Sequence, residues 1–212
     1  MLELWLVRHG QTDFSRENRF CGSIDPPLSE LGQRMADALG SAHGEGKWDA
    51  IYCSPSLRAR QTVAPLAKRA RVEPMLDDGL REISYGEWEG MKHDEAKARF
   101  PDVYAYWTQD TASRATPGGE TAFMVAARAA PVVERIRREH ASGKVLVVSH
   151  KATLRILVCA LLGMDVRLFR ERIAQPVCAL SRFEIKPTGT AMLTMLGDVS
   201  HLPPDLRSAE GT

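Results

Sequence analysis

Residues 1–10 read MLELWLVRHG, and the reading of the fold starts from this run. Leu2, Leu4, Trp5, Leu6 and Val7 are almost continuous apolar residues, the composition of a central strand covered on both faces. Gly10 then stops the strand. In an open α/β sheet, ligands occupy the crevice beyond the carboxyl ends of the strands, so Arg8 and His9 would be delivered there on a rigid element. Taken alone, an R-H-G tripeptide is as well explained by a strand that ends in polar residues. Two further runs change the weighing. Residues 49–54 (DAIYCS) read as a second short buried strand, after which Pro55 should open a helix with Arg58 in its first turn. Residues 144–149 (KVLVVS) read as a third, followed directly by His150. Two strands therefore end in histidine at one edge of the sheet.

Working outward, the stretch from Gln11 to Pro27 is polar and broken by Gly22 and Pro26-Pro27, a loop expected to line the site. Ser29 should cap a helix with Leu31, Met35, Ala38, Leu39 and Ala42 on one face, ending near Gly44. A second helix is expected over 56–70, with a short return strand over 72–75. This β-α-β-α alternation implies a mainly parallel sheet covered by helices on both faces, a three-layer α/β/α sandwich. The segment 76–119 breaks the rhythm. It carries Glu82, Trp88 and Trp107 with short helical pieces near 94–100 and 103–107, and reads as a helical cap inserted over the crevice. A long helix is expected over 120–141 despite Pro131, and an apolar one over 152–162 stopped by Gly163. An antiparallel C-terminal hairpin is expected from 177–185 and 191–196 around Pro187-Thr188-Gly189. The tail over 203–212 should be disordered.

At 212 residues, with 44% apolar residues, the chain has the size of one domain spanning 1–212 with one sizeable core. Lys and Arg number 28 against 27 Asp and Glu, so no global field recruits nucleic acid or an anionic membrane. Cys21, Cys53, Cys159 and Cys178 show no C-x-x-C spacing and read as free, buried thiols of a reducing cytoplasm. No apolar run approaches a membrane span, and no signal-peptide pattern opens the chain. His43, His93, His140 and His201 fit no metal spacing and read as surface or structural residues. Leu157, Leu161 and Leu162 would suit either burial under the sheet or a homodimer face.

Six segments occur in a characteristic order: LVRHGQT (6–12), CGSIDPPLSELG (21–32), CSPSLRARQT (53–62), LREISYGEWEG (80–90), PGGET (117–121) and VVSHK (147–151). In these segments the chain resembles the histidine phosphatase superfamily, the group that includes phosphoglycerate mutases. The resemblance implies a phosphohistidine formed on His9, with Arg8, Arg58 and His150 around the phosphoryl group and Glu82 as proton donor. The chemistry agrees with those residue types. A transferring phosphoryl group needs cationic donors on its equatorial oxygens, and a neutral imidazole can attack phosphorus in line. No metal or other cofactor is required. Thr12, Ser15, Cys21, Gly22, Tyr85 and Lys151 are the further candidates for substrate contact.

Departures from the family pattern narrow the expectation. Ser15 stands where an asparagine is implied, and Cys21 where a polar residue is commoner. Glu82 is followed by Ile83, Ser84 and Tyr85 without the arginine of the mutase branch, the basic, proline-rich insertion of that branch is missing, and Lys151 replaces a glycine. A mutase must hold and reorient its product with extra anion-binding groups, whereas a phosphatase releases it. The expected activity is therefore metal-independent hydrolysis of a small phosphorylated metabolite, with Lys92, Arg114 and Lys151 as candidates to contact a carboxylate, as in phosphoserine or a phosphoglycerate-like acid. The alternatives are a cofactor-dependent phosphoglycerate mutase and a non-catalytic phosphate-binding module.

Overall fold

The computed structural model describes residues 1–209. Its strands are β1 (Leu2–Arg8), β2 (Ala50–Cys53), β3 (Met75–Leu76), β4 (Gly143–Ser149), β5 (Leu180–Ile185) and β6 (Ala191–Asp198). They form one six-stranded sheet in the order β3-β2-β4-β1-β5-β6. β1 lies parallel to β4 from Leu2 opposite Gly143 to Arg8 opposite Ser149, and β4 lies parallel to β2. β5 and β6 close the sheet as an antiparallel hairpin beside β1. The continuous apolar runs of β1 and β4 follow from this central position, because each needs cover on both faces.

Side chains of period two divide between two cores. Leu2, Leu4 and Leu6 join Val145 and Val147 on one face, where α6 (Ala122–Glu139) and α7 (Lys151–Leu162) pack. Trp5 and Val7 join Leu146 and Val148 on the other, under α2 (Glu30–His43) and α3 (Leu57–Ala70). Each buried leucine stabilises the fold by roughly 1.5–3 kcal/mol. Leu157 lies in the first core and Leu161 and Leu162 pack against it. The expected three-layer α/β/α architecture is the observed one.

A third, smaller cluster belongs to the cap. Phe20, Trp88, Ala96 and Trp107 are buried together with α4 (His93–Arg99) and α5 (Pro101–Gln109). The loop after β1, which includes the short α1 (Asp13–Arg16), is stitched to this cap by Phe20 N–H to Met91 O at 2.9 Å and Gly90 N–H to Phe20 O at 2.8 Å. Both tryptophans thus serve packing.

Several boundaries differ from expectation for local reasons. Pro55 does not open α3. Ser56 is the N-cap residue and Leu57 the first helical one, since both oxygens of the Asp25 carboxylate accept the Leu57 N–H, at 2.8 and 2.9 Å. The return strand falls at Met75–Leu76 rather than 72–75. The hairpin begins at Leu180 because Cys178 has φ 55°, which no strand residue adopts, and its N–H bonds His9 O at 3.1 Å. α6 runs through Pro131, with Val125, Ala129, Val132 and Ile136 keeping its buried stripe. The tail is ordered over 203–209. Pro204–Arg207 forms a helical turn, α9, between α8 (Phe169–Arg172) in sequence and the described end, and Leu202 and Leu206 are buried in the second core. Residues 210–212 of the expected disordered tail lie outside the described residues. No helix among the described residues is long and apolar enough to cross a membrane.

Candidate active site

The parallel register puts the ends of β1 and β4 side by side, with His9 N–H bonded to Ser149 O at 3.0 Å. His9 and His150 consequently face one another, their ring centroids 5.1 Å apart. Gly10 allows the chain to turn away from the strand against α2. A Cβ there would meet Gly32 O at 2.8 Å, too close for any side chain.

His9 Nδ1 lies 2.7 Å from Gly10 O. A carbonyl oxygen only accepts, so Nδ1 carries the ring proton and Nε2 holds the lone pair. Burial, then the nearby Arg58 and Arg8 guanidinium groups, hold the His9 pKa well below the ordinary histidine value. The ring is neutral at physiological pH, the form that can act as a nucleophile. His150 is depressed in the same way, by burial first and then Arg58 and His9. Its Nε2 lies 2.8 Å from Ser54 Oγ, and its buried Nδ1 has no partner among the described residues.

Both predicted arginines reach the site fully buried. Arg8 donates to Gln175 O at 2.7 Å and keeps a buried Nε without a partner. Its desolvation pulls the guanidinium pKa down to about 10, so it stays charged at neutral pH. Arg58 donates to Ile24 O at 2.9 Å and Gly22 O at 3.1 Å and lies 3.4 Å from Asp25. Asp25 therefore caps α3 and anchors the arginine on it.

Glu82 sits on the loop before the cap, and its carboxylate closes onto the first turn of α7. It accepts Ala152 N–H and Thr153 N–H, both at 3.1 Å, and Ile83 N–H at 2.9 Å. Free N–H groups at a helix start favour a carboxylate there. Arg128 of α6 clamps the same loop by donating to Gly79 O, Arg81 O and Glu82 O, and it pairs with Glu120 at 2.9 Å. Glu89, a rival of Glu82 in sequence, is consumed elsewhere, accepting from Gly22, Ser23 and Tyr85 N–H groups.

His9, Arg8, Arg58, Glu82, Thr12, Ser15, Cys21, Tyr85 and Lys151 all line one cleft of about 690 Å³ including its open mouth, and His150 stands behind it against His9. Thr12 and Ser15 cap α1 reciprocally at 2.9 and 3.1 Å, which spends much of their hydrogen-bonding capacity. The Cys21 thiol, raised to about 11 by burial, is protonated. Gly22 does not line the cleft. Its N–H is held by Glu89, and a Cβ on it would meet Ile83 O at 2.1 Å, so this glycine lets two loops touch. Lys92 and Arg114 are also elsewhere. Lys92 is exposed at the start of α4, and the Arg114 guanidinium stacks 3.8 Å over the Tyr106 ring.

The structure adds residues that no motif pointed to. His93, read as a surface or structural residue, lines the cleft and bonds Tyr104 Oη at 3.0 Å. Arg155 and Arg170 also line it. Arg155 could have been suspected from its place one helical turn beyond Lys151, whereas nothing local marks Arg170 or Arg128, and Ser54, although inside the 53–62 segment, carries no sequence sign of its bond to His150. No cluster of three or more His, Cys, Asp or Glu side chains placed to hold a metal ion occurs among the described residues.

The model of the histidine phosphatase superfamily, branch 1, matches residues 4–196, and the chain belongs to this family. The chain is 33% identical over 169 residues to phosphoserine phosphatase 1 of Hydrogenobacter thermophilus, covering 80% of each chain. It is 34% identical over 171 residues to glucosyl-3-phosphoglycerate phosphatase of Mycobacterium tuberculosis, covering 77% of this chain and 76% of that one. The solved structure of Bacillus stearothermophilus YhfR superposes with a TM-score of 0.86 at 32% identity, covering 95% and 99% of the two chains. Family and relatives together make this chain a phosphoric monoester hydrolase.

Proposed function

We propose that the chain hydrolyses a small phosphorylated metabolite without a metal ion, through a phosphohistidine on His9. The observation that carries this is the His9 tautomer: Nδ1 bonded to Gly10 O leaves Nε2 as a lone pair in a cleft that also holds Arg8, Arg58 and Glu82. Nε2 attacks phosphorus while Arg8 and Arg58 neutralise the equatorial oxygens. As the P–O ester bond breaks, Glu82 gives its proton to the departing oxygen. Glu82 then takes a proton from water as that water attacks the phosphohistidine, the N–P bond breaks, and phosphate leaves with His9 and Glu82 restored. The names of the relatives, one a phosphoserine phosphatase and another a glucosyl-3-phosphoglycerate phosphatase, agree with a small metabolite substrate.

Water rather than a second hydroxyl accepts the phosphoryl group in this reading, as the missing mutase insertion implies. The test is phosphate release from a panel of phosphomonoesters in EDTA, with quenching in alkaline detergent to trap the phosphoenzyme. The native chain should release phosphate and accumulate an acid-labile, base-stable phosphoryl group, and His9→Ala should abolish both. Release that needs a metal ion, or that survives in His9→Ala, would sink the proposal.

A further inference from the structure

The cleft carries more positive charge than one phosphoryl group can use. Arg8, Arg19, Arg58, Lys151, Arg155 and Arg170 line it, with Glu82 as the single lining carboxylate. Arg19 is neutralised by Glu17 at 2.7 Å and lies 3.6 Å from Glu95. A phosphomonoester dianion matches Arg8 and Arg58. Lys151, Arg155 and Arg170 are left over.

These three side chains are also unspent. Among the described residues none of them donates a hydrogen bond or forms an ion pair, and the Arg155 Nε is buried without a partner. Lys151 and Arg155 stand four residues apart on α7, on one face and one turn from each other. Arg170 on α8 completes the group from the next helix, its guanidinium 4.7 Å over the Trp107 ring of the cap. Burial, then Arg8, Arg155 and Arg170, pull the Lys151 amine down to about 7, and burial followed by Arg170 lowers Arg155. Cations that repel one another in a partly desolvated cleft raise the free energy of the empty site, and a bound anion relieves it. Arg128 and Arg135, which brace α6 against neighbouring loops, each have a carboxylate partner instead.

We infer that Lys151, Arg155 and Arg170 form a second oxyanion subsite, and that the ester hydrolysed at His9 carries another anionic group besides its phosphate. The substrate class is thus a phosphorylated acid or a bisphosphate rather than a phosphorylated alcohol or amine. This rests on the phosphatase reading above for its catalytic consequence, although the subsite itself can be read without turnover.

Matched pairs of esters provide the test. 3-Phosphoglycerate is compared with glycerol 3-phosphate for an added carboxylate, and a hexose 1,6-bisphosphate with the hexose 6-phosphate for an added phosphate. In at least one pair the dianionic-plus-anionic member should have a kcat/KM tenfold or more above its partner, and the better pair identifies the second group. Arg170→Met and Lys151→Met, which keep the aliphatic stems, should each reduce that preference at least fivefold. Calorimetric titration with phosphonoacetate against methylphosphonate gives the same comparison in binding alone, with a tenfold preference expected in the native chain and lost in Arg170→Met. No preference in either pair and none between the phosphonates would overturn the subsite while leaving His9-dependent hydrolysis standing. A phosphonate preference in a chain that releases no phosphate would do the reverse, retaining the subsite and removing the phosphatase reading.

Discussion

At the scale of single residues, the protonation of His150 is set by a hydroxyl that touches no substrate. Ser54 is fully buried, accepts or donates at 2.8 Å to His150 Nε2, and donates to Ser56 Oγ at 3.2 Å. With that proton spent on Ser56, Nε2 carries the ring hydrogen, and Nδ1 can donate only once the ring becomes imidazolium. If the hydroxyl turns to Nε2 instead, Nδ1 bears the proton in the neutral ring. Either way Ser54 decides what His150 offers to a phosphate oxygen. Ser54→Ala should lower kcat roughly tenfold, the worth of one buried hydrogen bond to a catalytic ring, and displace the acid limb of the kcat–pH profile. An unchanged profile with normal kcat would reduce Ser54 to packing.

At the scale of elements, the placement of Glu82 depends on how α6 and α7 hold a loop that has no regular structure of its own. Glu82 is placed by N–H groups of α7 on one side and by Arg128 of α6 on the other. Removing the arginine leaves Glu120 half-buried without its ion pair and frees the loop carbonyls. Arg128→Met should cost about 2–3 kcal/mol of stability and depress kcat more than it raises KM, measured by urea unfolding and steady-state kinetics. Leucine or alanine substitutions on the exposed face of α6 should do neither. Asp25 plays a comparable part for α3. Asp25→Ala should cost about 1 kcal/mol as a lost helix cap and raise KM through a less firmly held Arg58.

At the scale of the whole molecule, buried neutral histidines link stability to pH. His9 and His150 are held well below the ordinary value by burial, and His201, half-buried in the seam between α2 and the C-terminal turn, is lowered to about 4. The unfolded chain protonates these rings near pH 6.5, while the folded chain does not until lower pH. The unfolded state therefore binds more protons below about pH 6.5, and stability falls as the pH drops through that value. Each fully depressed histidine contributes up to about 1.4 kcal/mol per pH unit. Urea midpoints should fall between pH 7 and pH 5, and His201→Gln should remove about 1–2 kcal/mol of the difference, discounted for its partial exposure.

The layered fold was legible because its signals are local. The two-faced apolar runs at Leu2–Val7 and Val145–Val148 read as central strands, and Ser29 and Gly163 bound their helices as their side chain and backbone freedom require, whereas the helix expected from 120 starts at Ala122 because Thr121 caps it. Four of the five catalytic candidates, Arg8, His9, Arg58 and His150, were legible for the related reason that each ends or directly follows a strand or lies in the first turn of a helix, so that chain position brings it to the sheet edge, whereas Glu82 on its loop was marked only by the family resemblance. Contacts between distant segments left no such mark. Ser54 meets His150 across 96 positions, Arg128 meets Glu82 across 46, and Arg170 comes to the cleft from a helix with no motif. The sequence by itself determined the sheet and its helices, since periodicity and caps act within a few residues, and its motifs named the candidate site groups. Tertiary structure alone decided the removal of Gly22, Lys92 and Arg114 from the cleft and the gathering of unpaired cations beside it, because those depend on which side chains packing leaves without partners.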